Sequence, residues 1–392
     1  MLLPQALFKV KSSAKKIGSG RRKKLPKIIN LESLFLFHMK HLVIIGLVIP
    51  EPASTAAGHR MMQLMQLFFE ADFKISFLTA SNNLEFSEKI EIQKIEINNE
   101  SFDEKIRNLN PDVVLFDRYV TEEQFGWRVS DNCPEALKII DTEDLHFLRE
   151  ARRKAFIEKR NIGKGDLVNE IFVREIASIL RCDLSLIISE FEYDLLINDF
   201  KINPNLLFYI PFLTESFEKS ETPFEDRKHF VSIGNFLHEP NWQTVLKLKQ
   251  IWKSIRKKLP EAELHIYGAY TSQKVLELHN EKDGFLVKGR ANSAKHIFDK
   301  AKVLLAPIPF GAGLKGKLWE SMMFGLPNVT SSIGAEAMHK DLPWNGFIED
   351  SDEVLVEKAI ELYEDENIWN QAQENGYRIL DSVYRKDLFD QI

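Results

Sequence analysis

Cysteine is almost missing from this chain. Two thiols in 392 residues, Cys133 and Cys182, supply neither a disulfide framework nor a clustered metal site, and a reducing, cytoplasmic setting is the expectation. A positive excess is missing too: 52 Lys and Arg face 58 Asp and Glu, for a net charge of −6, so no nucleic-acid partner is expected. No apolar run is long enough for a membrane span. The longest, Leu42 to Pro50, falls far short of the roughly 20 residues required. What remains is globular composition, 44% hydrophobic and 28% charged, on a chain whose length suits two domains better than one core.

The charge is unevenly placed. Lys9, Lys11, Lys15, Lys16, Arg21, Arg22, Lys23, Lys24 and Lys27 all precede the first acid, Glu32, and residues 1–38 read as a basic, disordered extension. Three readings compete for it: an upstream extension with true initiation at Met39, a surface for anionic lipid headgroups that would make the protein peripheral at the inner membrane face, and a transit-type leader. The first is preferred because MKHLVIIGL opens as a domain does.

Beyond Met39, apolar runs of strand length alternate with helical periodicity, which specifies an α/β chain of two Rossmann-like, doubly wound domains facing across a cleft. The first spans 39–214, residues 215–228 form a polar linker, and the second spans 229–375. In the first, Val113–Phe116 and Lys138–Ile140 are strands. The polar residues after them, Asp117, Arg118, Asp144 and His146, lie where open parallel sheets bind ligands. Gly58, His59 and Arg60 stand at the start of a helix whose Met61, Leu64, Met65 and Phe68 make a buried stripe. A plain helix cap with a solvated Arg60 is the competing reading there, and an ordinary capping or half-buried histidine competes at His146.

The most informative stretch is VLLAPIPFGAGLKGKLWESMMFGLPNVTSSIGAE, from Val303 to Glu336. A buried strand ends at Pro307. Gly311, Gly313 and Gly316 then allow close backbone approach, and the following helix would aim free N–H groups at an anion. Lys315 and Lys317 add positive charge, while Glu320, one turn in, can accept hydrogen bonds from hydroxyls. Diphosphate and ribose satisfy this set. The fit of Gly311–Lys317 to a P-loop fails at Leu318, where a Mg²⁺-binding hydroxyl is required.

FGAGLKGKLWE followed by GLPNVTSSIGAE closely resembles the donor-site segment of the retaining glycosyltransferases of family 4, which have the GT-B fold. The resemblance extends over nearly all of residues 39–392. It implies a metal-independent transfer of a sugar from a nucleotide-diphosphate sugar to an acceptor hydroxyl, without any cofactor, the acceptor being a glycan, a lipid-linked molecule or a small molecule. It implies donor contacts from Gly311, Gly313, Leu314, Lys315, Gly316, Lys317 and Glu320, with Glu320 on the ribose, and from the loop SIGNFLHEPNW, where Asn235, His238 and Asn241 replace the family's usual basic pair. Gly58, Arg60 and Arg118 would serve the acceptor or phosphate side. His146 and Asp144, with the two lysines, would form the catalytic group. Residues 376–392 would cross back to the first domain. The family's usual second glutamate, eight residues before Glu320, is Ala312 here.

Two rival readings keep the fold: a sugar-nucleotide epimerase or phosphorylase, and a non-catalytic sugar-nucleotide binding protein. Asp350-Ser351-Asp352 mimics a metal-binding D-x-D motif, but it directly precedes a helical pattern, where such residues cap. No metal is expected.

Overall fold

The computed structural model describes residues 39–52, 54–82, 84, 90–291 and 293–389. The basic extension expected at 1–38 lies outside them. Two wholly parallel sheets organise the chain. The first has seven strands in the order β3-β2-β1-β4-β5-β6-β7, the second six in the order β10-β9-β8-β11-β12-β13. In each the first strand is central and the order reverses beside it, the doubly wound arrangement whose crevice lies beyond the carboxyl ends of the strands.

In the first sheet β1 (His41–Gly46) lies between β2 (Lys74–Thr79) and β4 (Val113–Asp117), followed outward by β5 (Leu137–Asp141), β6 (Leu184–Ile187) and β7 (Leu207–Tyr209). Leu42, Val43, Ile44 and Ile45 have no exposed surface, because helices cover both faces of a parallel sheet. Helix α1 (Ala56–Glu70) starts at Thr55, whose hydroxyl accepts the Gly58 N–H at 2.9 Å, and buries Met61, Leu64, Met65 and Phe68 against the sheet. Helices α2 (Ser101–Leu109) and α3 (Tyr119–Asn132) follow. The charged stretch after β5 forms two helices, α4 (His146–Ile157) and α5 (Glu170–Arg181), separated by a loop containing Gly163 and Gly165. Helix α6 (Glu190–Asn198) follows β6.

The second sheet places β8 (Lys228–Ile233) between β9 (Leu264–Tyr267) and β11 (Ala301–Ala306), with β10 (Phe285–Gly289), β12 (Asn328–Thr330) and β13 (Gly346–Ile348) outside them. Helix α7 (Glu239–Lys258) buries Val245, Leu248, Ile251, Trp252 and Ile255. Helix α8 (Gly316–Met323) ends before Gly325, which takes φ 61° as a left-handed stop requires. Helices α9 (Asp352–Glu364) and α10 (Glu366–Ile379) close the domain. The buried face of α9 is Leu355, Ala359 and Leu362, and Val354, Ile360 and Tyr363 flank it.

Two edge strands, β13 and β3 (Glu91–Lys94), had no apolar signal, since an edge strand is buried on fewer sides than a central one. After α10 the chain returns to the first domain: Tyr384 accepts the Thr214 N–H at 2.7 Å, Lys386 pairs with Glu70 and Glu215, both at 2.7 Å, and Phe389 joins the first core. Among the described residues no helix is long and apolar enough to cross a membrane. Cys133 and Cys182 are buried and unpaired.

Candidate active site

The loops after β4, β5 and β6 face those after β8, β9 and β11, and they touch. Gly313 takes φ 62°, and a Cβ there would stand 2.8 Å from the Asp144 Cβ; one on Gly316 would stand 2.7 Å from the Ala56 Cβ at the start of α1. The glycines were expected to admit a ligand. In this closed arrangement they admit the opposite domain. Ala312 lies in the first domain's own core with Leu145, Phe147 and Leu148, and His59 packs on Trp319 with ring centroids 5.0 Å apart.

On the second-domain wall, Lys315 caps α8 with its backbone, and its ammonium donates to the carbonyls of Ala312 (3.1 Å) and Gly313 (2.5 Å). Lys317 donates to Asn241 Oδ1 at 2.6 Å. Burial pushes both lysines down to about 8, so a dianionic ligand would restore charge that desolvation has weakened. Burial likewise raises Glu320 to about 7, with Lys317 opposing. The family-like set is therefore assembled: two cations, a carboxylate and a helix N-terminus in one place. Leu314 packs into the second core. Asn235, expected among the donor contacts, turns its Oδ1 back to the Leu237 N–H at 2.9 Å, and Asn241 is the loop residue that meets Lys317. His238 opens onto the cleft, where desolvation and the Arg149 guanidinium push its pKa down to about 4.

On the first-domain wall, adjacent strands β4 and β5 end in Asp117 and Asp141, paired in register. Arg60 departs from its expected place. Its guanidinium has only 1% of its surface exposed and binds Asp141 (Nε to Oδ1 2.9 Å) and the Ile210 carbonyl (2.7 Å). A cation locked in that buried pair has no route to a phosphate, and Arg60 is a structural residue of the first sheet. Gly58 is structural as well, because the Glu51 backbone lies 2.5 Å from where its Cβ would be. Arg118, at φ 70°, stays at the crevice beside Asp117, 3.3 Å away, and Asp117 above all keeps it protonated. Burial raises Asp117 and Glu143, and the neighbouring Asp141 raises both further. Burial also acts to raise Asp144, but Arg149, His146 and His238 together hold it below the carboxylate range.

His146 begins α4, with Nδ1 3.0 Å from the Asp144 carbonyl and 3.1 Å from Glu175 Oε1. Glu175 also accepts the N–H groups of His146 (3.2 Å) and Phe147 (3.1 Å). It thereby fixes the imidazole and caps the helix. Glu192, on α6, accepts Leu145 N–H at 3.0 Å and, across the cleft, Gly313 N–H at 2.8 Å. Burial and Asp144 raise it to about 8. Nearby, Arg152 makes a two-point bond to Glu336 (2.8 and 2.6 Å) and donates to the Gly311 carbonyl at 2.8 Å. Sequence reading passed over Glu175, Glu192 and Arg152. A signal existed for the two acids: each sits on the buried face of its helix, Glu175 four residues before Ile179 and Glu192 four before Leu196, where an acid needs a partner.

The D-x-D lookalike is divided between partners. Asp350 accepts the Ser332 N–H at 2.9 Å, Asp352 pairs with Lys247 at 3.0 Å, and Ser351 precedes α9 without a capping side-chain bond. Among the described residues one other group, His229, Glu263 and His265, brings three ligand atoms within 4.8 Å. It lies at the amino ends of β8 and β9, the rim opposite the cleft. The two imidazoles stack 4.3 Å apart at 25°, so one ring must turn before both lone pairs could meet one ion.

Residues 227–365 match the family described as Glycosyl transferases group 1. No curated protein sequence matches the chain. The structure is similar to sucrose-phosphate synthase from Thermosynechococcus elongatus (13% identity, TM-score 0.68, covering 90% of this chain and 96% of that one). It is also similar to the pneumococcal O-GlcNAc transferase GtfA in complex with UDP and GlcNAc (13%, 0.68, 90% and 98%) and to Anabaena HepE in complex with UDP and glucose (11%, 0.65, 90% and 97%). At such identities the likeness carries the two-domain GT-B fold, while the group 1 match covers the wall that holds Lys315, Lys317 and Glu320. The chain therefore has the GT-B fold, and its second domain matches the group 1 glycosyltransferase family over residues 227–365.

Proposed function

We propose that the protein transfers a sugar from a nucleoside-diphosphate sugar to an acceptor hydroxyl with retention at the anomeric carbon and without a metal. The observation that carries the donor assignment is the confinement of Lys315, Lys317 and Glu320 at the start of α8. Among the described residues the N–H groups of Gly316 and Lys317 have no acceptor, so they too can meet an anion. When the sugar–phosphate bond breaks, charge develops on the departing diphosphate. Fixed cations and N–H groups at that point stabilise it without reorganisation. Lys315 must exchange its loop carbonyls for phosphate oxygens, and Lys317 must exchange Asn241, as the domains part to admit the donor. His146, which Glu175 holds, orients the donor sugar or the acceptor hydroxyl in this reading. Retention rests on the family resemblance, and the two GT-B structures with UDP and a sugar support a nucleotide-sugar donor. The acceptor is a glycan, a lipid-linked molecule or a small molecule. Buried, unpaired thiols suit a reducing cytoplasm.

The test is a thermal-shift screen of sugar nucleotides, since a ligand of the native state stabilises by mass action, followed by transfer with the best donor in EDTA. Proton NMR of the product then reads the anomeric configuration. Donor binding without transfer or hydrolysis would return the reading to a binding protein. Loss of activity in EDTA, restored by Mn²⁺, would end the metal-free part.

A further inference from the structure

Large apolar side chains are not spread evenly over the surface. Of the seventeen that stand exposed among the described residues, six lie in one 25-residue stretch: Phe156, Ile157, Ile162, Val168, Val173 and Leu180. Ile157, Val168 and Val173 expose 54%, 60% and 63% of their surface, far from the burial such residues normally reach. Val173 and Leu180 are two turns apart on one face of α5. Trp127, 61% exposed, stands one turn beyond Glu123, which reaches across to Arg174 on α5 at 2.5 Å.

The loop between α4 and α5 is built, not slack. Asp166 accepts the Gly163 N–H at 2.7 Å and both ends of the Arg160 guanidinium at 2.6 and 2.7 Å, and Asn169 donates to the Phe147 carbonyl at 3.0 Å. A held loop that points Ile162 and Val168 at water leaves apolar surface uncovered at a standing cost.

Charge identifies the partner. Residues 149–181 carry nine Lys and Arg against five Asp and Glu, in a chain whose net charge is −6. The arginines are mostly engaged: Arg160 with Glu158 and Asp166, Arg174 with Glu123, Arg181 with Glu122. The lysines are not. Lys154 and Lys159 make no ion pair among the described residues, and Lys164, 94% exposed, reaches Asp199 only at 3.8 Å. Aliphatic and aromatic side chains interleaved with exposed lysines on a helix–loop–helix suit a lipid headgroup layer, into which the apolar groups insert while the lysines meet phosphate.

We propose that the face formed by α4, the α4–α5 loop and α5 docks on an anionic bilayer, and that the acceptor is presented from that surface. Phe156 belongs to the patch and packs on Phe310, ring centroids 5.2 Å apart, at the head of the glycine loop. The cleft mouth therefore adjoins the lipid-facing surface. The second half of the proposal rests on the transfer reaction above, and the first half does not, because vesicle binding is read without a sugar donor.

The experiment is flotation of the full chain with vesicles of phosphatidylcholine alone or mixed with phosphatidylglycerol, at low and high salt. The unaltered protein is expected to float with the anionic vesicles, and less so in high salt. Combining Ile157→Asp, Ile162→Asp and Val168→Asp should lower the partition coefficient at least about tenfold at either salt. Lys154→Glu with Lys159→Glu and Lys164→Glu should remove the preference for anionic lipid, about fivefold per lysine. Both variants alter exposed positions and keep residues 1–38, so an unchanged melting temperature is the control for folding. Equal flotation of all three proteins would overturn the proposal by assigning lipid binding to another part of the chain. So would failure of the unaltered protein to float, or a dimer that the aspartate variant turns into a monomer without any vesicle effect.

Discussion

Glu192 offers the sharpest test of how the two walls are joined. In Glu192→Ala two N–H groups lose their acceptor. Leu145 has no exposed surface, so its N–H becomes an unsatisfied donor in the folded protein. That costs roughly 1–3 kcal/mol, or about 2–4 °C of melting temperature per kcal/mol for a domain of this size. Gly313 N–H meets Glu192 only when the domains close. Its loss leaves the open state untouched and lowers the closed population by roughly 5- to 150-fold if the same energy applies, which would appear as a fall in kcat/KM for the donor. Glu192→Gln keeps an amide oxygen at the position of Oε1 and should hold both N–H groups, with melting and turnover close to the unaltered protein. The assays are a thermal melt and steady-state transfer on the same preparations. If the alanine variant melts normally and turns over normally, the bond is incidental to closure. If glutamine is as damaging as alanine, the negative charge and not the acceptor geometry matters, and the argument from the two N–H groups is wrong.

Glu320→Ala should weaken binding of the best nucleotide ligand by roughly 10- to 150-fold, the worth of a charge-assisted acceptor at about 1.5–3 kcal/mol, with the melting temperature of the free protein preserved; an unchanged Kd by calorimetry would remove Glu320 from the site. Lys315→Ala or Lys317→Ala should cut kcat about a hundredfold or more in at least one case, while EDTA leaves the unaltered enzyme active; near-normal turnover of both variants would show that the leaving group is met by something else. Affinity for a nucleoside diphosphate should be bell-shaped in pH. It rises as Glu320 ionises through about 7, because the ribose hydroxyls need the carboxylate, and it falls as Lys315 and Lys317 lose protons above about 8. Titration calorimetry across that range would show a flat profile if these groups do not face the ligand.

The sequence by itself determined the central strands of both sheets and the glycine loop with its helix. Parallel strands covered on both faces must be continuously apolar, and each crossover helix must carry its own buried stripe, so Leu42–Ile45 and the Met61–Phe68 helix are legible from local pattern alone. The glycine loop with Lys315, Lys317 and Glu320 is legible for the same reason: one helix N-terminus gathers those groups within ten residues. Tertiary structure decided everything that depends on a partner distant in the chain. Arg60 beside a loop reads as a free cation until Asp141, 81 residues away, is found to hold it. Glu175 and Glu192 read as ordinary helix acids until His146 and Gly313 come to meet them. The glycines at 313 and 316 announce a close approach in any reading, but sequence cannot say what approaches. Here it is the other domain, because closure of the cleft is a long-range contact that no local periodicity encodes.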